Sequence, residues 1–135
     1  MARTGPYKPA YQHKMSKQSR IFKYLHTLAA QSPRVGNARI SCAITSKDRI
    51  ISATVNQRKT HPLQARYGKN PQSIYLHAEI AAIISALKDL EVRDFRYCDL
   101  YLARVSGVGR HPAVVQPCPG CARAIRDFGI RRVYS

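Results

Sequence analysis

No apolar run in this chain approaches the roughly 18 residues needed to span a bilayer. The longest candidate, Ile80 to Leu87, is interrupted by Ser85 and followed by Lys88. The first 23 residues are polar and basic throughout, so they lack the apolar stretch of a secretory signal, and with only four cysteines a cytoplasmic, reducing setting is the simplest expectation. There is no tryptophan. Acidic residues are also scarce, 7 against 23 Lys and Arg, for a net charge of +16. At 135 residues the chain fits one domain with a core able to fold without staples, and leaves no room for a second catalytic domain. Internal repeats and low-complexity segments are absent.

The charge is lopsided. Up to residue 78 there is one acid, Asp48, against fourteen Lys and Arg, which gives +13, whereas the remainder has nine basic and six acidic residues, or +3. Such a distribution suits a polyanion binder, because each neutralised phosphate releases counterions. A merely solvated basic face gives the same count.

Residues 1–15, with two prolines, a glycine and no periodicity, read as a basic irregular arm, and 16–135 as one domain. Ile21, Leu25, Leu28 and Ala29 recur at helical spacing and predict a helix over Ser16 to Ala30, stopped by Pro33. Two β-branched runs, 39–45 and 49–55, are separated by the turn-forming Ser46-Lys47-Asp48 and predict a hairpin. A long polar connection from Asn56 to about Ser73 follows. From His77 onward, Ile80, Ile83, Ile84, Leu87 and Leu90 form an apolar helical face. Tyr97 to Val105 reads as a third strand, a Gly- and Pro-containing loop spans 106–117, and a third helix opens at Cys118 and ends at Gly129 before a last strand, 130–134. The expected fold is therefore α/β, an α-β-α sandwich in the order αββαβαβ, with a mixed four-stranded sheet and right-handed crossovers between parallel strands at its end.

Two short segments carry chemistry. His77-Ala78-Glu79 and Pro117-Cys118-Pro119-Gly120-Cys121 supply one imidazole, two thiols and a carboxylate, each at the start of a predicted helix. His77, Cys118 and Cys121 match the count of a catalytic Zn²⁺ site, with three protein ligands and a fourth position for water. Two thiolates and a neutral imidazole leave the centre formally uncharged, so it acidifies water less than an all-histidine site and a nearby carboxylate base becomes more useful. Glu79, two residues from His77, stands beside the metal rather than on it. Cys42 and Cys98, isolated in predicted strands, read as buried core thiols and offer no second Cys pair for a purely structural site. His61 is a lone histidine and does not make a second metal site.

The two segments resemble the zinc-binding signature of the cytidine and deoxycytidylate deaminase superfamily, and the resemblance extends from about Asn37 to Tyr134. It implies the cytidine-deaminase-like three-layer fold and hydrolytic deamination, with water attacking the amino-bearing carbon C4 of cytosine. Glu79 would take the water proton, pass it to the ring nitrogen and assist loss of ammonia. It further implies that the Ala78 amide and the Pro117 carbonyl position the base edge, and that Asn56 reaches the sugar or base. The adjacent Arg58 and Lys59 suit a phosphate. Many relatives continue past the equivalent of Ser135 with a strand and helices used in oligomer interfaces, so a homo-oligomer is an open expectation and a sheet edge needs cover.

The expected substrate is a free cytosine nucleotide or nucleoside, of deoxycytidylate or cytidine type. An alternative is a cytosine or adenine base within single-stranded DNA or RNA, favoured by the basic first half and served by Tyr7, Tyr11, Tyr67 or Tyr75 as stacking platforms, though without tryptophan. A third reading, from another class, is a non-catalytic zinc-stabilised module that binds nucleic acid; Glu79 has no task in it.

Overall fold

The computed structural model describes residues 16–33, 35, 38–68 and 75–135. The expected arm at 1–15, the start of the resemblance at Asn37, and the end of the polar connection at 69–74 lie outside them. In chain order the elements are α1 (Lys17–Gln31), β1 (Arg39–Ser46), β2 (Arg49–Val55), α2 (Pro62–Tyr67), α3 (Ala78–Ala86), a 3-10 turn (Val92–Tyr97), β3 (Cys98–Ser106), β4 (His111–Ala113), α4 (Pro119–Phe128) and β5 (Arg132–Tyr134).

β1 is flanked by β2 and β3, both antiparallel to it, in full register from Arg39↔Val105 to Ser46↔Cys98 on the β3 side. The other edge of β3 is shared: β5 runs parallel along Asp99–Tyr101 and β4 antiparallel along Arg104–Ser106. The sheet is mixed, as expected, but has five strands rather than four. The extra strand, β4, is three residues long and contains Pro112, so it has no alternation to read, and an edge position tolerates its missing N–H. α2 was also absent from the expected order. It starts on Pro62 and is capped by the His61 ring, whose Nδ1 accepts the Leu63 N–H at 3.0 Å. His61 is thus a helix cap.

Strand alternation sorts the core into two faces. Ala43, Tyr101 and Ala103 pack with Ile21 and Leu25 of α1 on one side, while Cys42, Ile44, Leu100 and Leu102 pack with Ile80, Ile83, Ala124 and Ile125 of α3 and α4 on the other. This is the three-layer α-β-α sandwich. α1 begins where Ser16 Oγ accepts the Ser19 N–H. α4 ends at Gly129, whose φ of +79° is the left-handed cap conformation that glycine adopts without strain. Among the described residues no helix is long and apolar enough to cross a membrane.

Candidate metal centre and active site

The cluster forms at the N-termini of two helices packed against each other. His77 is the N-cap of α3 and Cys118 the N-cap of α4, one position outside the helix in each case. Cys121 lies one turn further along α4, and its N–H donates to Cys118 Sγ at 3.4 Å. His77 Nδ1 is 3.3 Å from Cys121 Sγ and 3.6 Å from Cys118 Sγ. A tetrahedral zinc with Zn–N of about 2.05 Å and Zn–S of about 2.3 Å requires an N···S edge of about 3.6 Å. The donor set and its spacing therefore fit Zn²⁺, and among the described residues this is the one cluster of its kind.

Without metal, the two thiols divide one proton unequally. Hydrogen bonds from Cys121 and His77 push the Cys118 thiol down to about 3, whereas the bond to Cys118, together with burial, pushes Cys121 up. The separate hydrogen bond between His77 and Cys118 raises His77 against the effect of burial. Zinc binding takes both thiols to thiolates and keeps the imidazole neutral. Glu79, on the first turn of α3 and 5 % exposed, lies beside this set, and burial lifts its carboxyl above the usual carboxylate range. A carboxyl so raised exchanges protons near neutrality more readily than an exposed one.

A cavity of about 320 Å³ opens on the cluster, walled by Ile40, Asn56, Tyr75, Ala78, Glu79 and Cys118 among others. Of the expected substrate contacts, Asn56 and Ala78 are on its wall. Asn56 also extends the β1–β2 ladder: its Oδ1 accepts from Ile40 N at 3.1 Å and its Nδ2 donates to Ala38 O at 3.4 Å. Pro117, Arg58 and Lys59 are not among the wall residues. Instead, the bend carrying Arg58 and Lys59 braces the approach to His77, since Gln57 N donates to Leu76 O at 2.9 Å and Leu76 N to Lys59 O at 2.8 Å.

Two supports for the site were not anticipated. Gln64, 1 % exposed, turns its Oε1 to the His77 N–H at 2.9 Å. A polar residue beside Leu63 in an unrecognised helix gave no signal. Gly120 lets α4 approach α2 so closely that a Cβ there would fall 2.0 Å from the Tyr67 carbonyl oxygen. Tyr67 itself is a correction to the list of stacking platforms. It is 6 % exposed, part of the core, with its hydroxyl 3.0 Å from Asp127 Oδ2. Tyr75 remains exposed on the cavity wall, and Tyr7 and Tyr11 lie outside the described residues.

None of the described Lys and Arg residues is on the wall of this cavity. Lys17, for one, pairs with Asp48 at the β1–β2 turn.

A three-layer sandwich that joins a His-Cys-Cys set to a buried carboxylate defines the class of zinc-binding enzyme folds expected above. The chain belongs to the cytidine and deoxycytidylate deaminase family: the model of its zinc-binding region matches residues 15–135. An uncharacterized deaminase in the luxG 3' region of Aliivibrio fischeri is 27 % identical over 128 residues, covering 89 % of this chain and 73 % of the relative. In fold, the chain is similar to the dCMP deaminase of cyanophage S-TIM5. The apo crystal structure aligns with TM-score 0.59 and 21 % identity over 95 % of this chain and 83 % of that one. The complex with dCMP and dUMP aligns with TM-score 0.54 and 18 % identity over 96 % and 82 %. The family's metal is zinc, and the cluster found here fits it.

Proposed function

We propose that this protein is a zinc-dependent hydrolytic deaminase of a free cytosine nucleotide or nucleoside, with His77, Cys118 and Cys121 as metal ligands and Glu79 as the catalytic acid and base. The observation that carries this reading is the buried Glu79 carboxyl beside a three-ligand set at the floor of a cavity. A purely structural zinc would not need that carboxyl, and burying it costs free energy.

When bound, zinc supplies a Lewis acid that makes water nucleophilic near neutral pH. Glu79 accepts the proton of that water on its carboxylate and passes it to ring nitrogen N3 as the new C4–O bond forms. It then moves a second proton to the exocyclic nitrogen, so that the C4–N bond breaks and ammonia leaves. Water and cytosine are thereby converted to ammonia and uracil. Asn56 and the unpaired N–H at the start of α3, that of Ala78, orient the base from the wall. Tyr75 offers an aromatic face to it.

The test is ammonia release from cytidine, deoxycytidine, dCMP and a cytosine-containing oligonucleotide at low and high salt. Turnover of a monomeric substrate is expected. Turnover confined to the oligonucleotide and falling steeply with salt would replace the reading with the polynucleotide one, and zinc-loaded protein inactive on all four would end it.

A further inference from the structure

We infer that Arg104 is the anchor for the 5′-phosphate of the substrate, so that the preferred substrate is a nucleotide rather than a nucleoside; this rests on the deaminase reading of the cavity.

The placement follows from strand parity. On β3, Leu100 and Leu102 face α3 and α4, whereas Tyr101 and Ala103 face α1. Arg104 continues the even series and so projects on the side of the sheet that holds the site. Its antiparallel partner on β1 is Ile40, and directly opposed residues share a face. Ile40 is on the cavity wall. On the other side Arg104 pairs with Ala113, and the chain that follows, Val115 and Gln116, returns to the same wall. Arg104 is not itself a wall residue, but it is set between two segments that are.

Its chemistry is unfinished. Arg104 is half-buried, and its Nε has less than 1 Å² of exposure and no hydrogen-bond partner. The chain has seven acids, all within the described residues, and each is placed elsewhere. Asp48 meets Lys17, Glu91 meets Arg93, Asp99 meets Arg131, Asp127 meets Tyr67, Asp94 caps the Glu91 N–H, Asp89 lies exposed just after α3, and Glu79 is at the metal cluster. A buried N–H of a charged group without an acceptor is costly, and it is relieved by a ligand that brings the anion. The fork of N–H donors matches a phosphate bidentately, and a pyrimidine nucleotide seated with its base at Glu79 carries one such group outward.

The experiment compares binding of dUMP and deoxyuridine, by calorimetry, to the zinc-loaded wild type, Arg104→Ala and Arg104→Lys. The wild type is expected to prefer dUMP. Arg104→Ala should weaken dUMP by about 10- to 100-fold, the range for a hydrogen-bonded charged contact, while deoxyuridine changes less than about twofold. Arg104→Lys should recover part of the loss, since it restores charge but not the fork. Equal losses for both ligands, or an unchanged preference, would overturn the assignment, as would a wild type that binds the two alike. If Arg104→Ala does not fold, Arg104→Lys against Arg104→Gln carries the same comparison. Because the readout is binding, selective dUMP affinity without deamination of dCMP would refute the reaction and leave the phosphate site standing.

Discussion

The side-chain oxygen of Gln64 accepts the backbone N–H of His77 at 2.9 Å, so the residue that presents Nδ1 to the two thiols is held from the opposite side by α2. The bond fixes the N-cap of α3 without spending the imidazole.

Gln64→Leu is therefore expected to weaken zinc binding by about 10- to 100-fold, the range for partners that orient a ligand. Gln64→Glu keeps an acceptor and should recover most of it. Chelator competition measures both, with Cys118→Ala as the variant that loses zinc outright. Equal affinity in Gln64→Leu and the wild type would show that α3 holds His77 unaided.

Glu79→Gln should keep zinc and fold while turnover falls by about 10²- to 10⁴-fold, the scale of a general acid and base. Elemental analysis beside the ammonia assay separates loss of chemistry from loss of metal. Full turnover in this variant would sink the mechanism.

Gly120→Ala tests the contact between α2 and α4. The new methyl would meet the Tyr67 carbonyl, which is backbone and cannot swing away, so α4 must retreat and carry Cys121 with it. A stability loss of about 1–3 kcal/mol is expected by analogy with overpacked cores, together with weaker zinc retention. Denaturant melts of the two proteins suffice, and an unchanged midpoint would mean that the helices slide apart freely.

Alkali should unfold the protein from about pH 9 upward. Burial raises Cys42 and Cys98 from an ordinary 9.0, and Tyr67 and Tyr101 from 10.0, so each deprotonates first in the unfolded chain. A folded pKa above the unfolded one gives stability that is complete below the unfolded value and is lost as pH rises through the folded one. The melting temperature should therefore be level between pH 7 and 8.5 and decline beyond pH 9. A flat profile to pH 11 would contradict the burial of these groups.

Much of this molecule was legible because its largest signals are periodic. Ile21, Leu25 and Ala29 bury one face of α1, and the runs at 39–45 and 49–55 pair as expected around a turn at Lys47, whose φ is +57°. The clustering of His77, Cys118 and Cys121 was readable from residue type and spacing alone, since few side chains hold zinc. What escaped depends on contacts distant in sequence. Gln64 acts through a backbone N–H thirteen positions on, Gly120 through a carbonyl in another helix, and β4 through pairing that three residues cannot advertise. Arg58 and Lys59 were expected at a phosphate from their charge, and the structure places them on the bend that braces Leu76 rather than on the cavity wall.

The distance along the chain between His77 and Cys118, 41 residues, has a consequence for synthesis. A ribosome releases the histidine, the whole of α3 and the central strand β3 before either thiol of the triplet exists. A growing chain therefore cannot use zinc as a seed for its sheet, as small zinc fingers use theirs. The sandwich must largely assemble on its own apolar faces, and metal occupancy then certifies that α4 has docked. Zinc content of a freshly made preparation is for this reason a gauge of finished molecules.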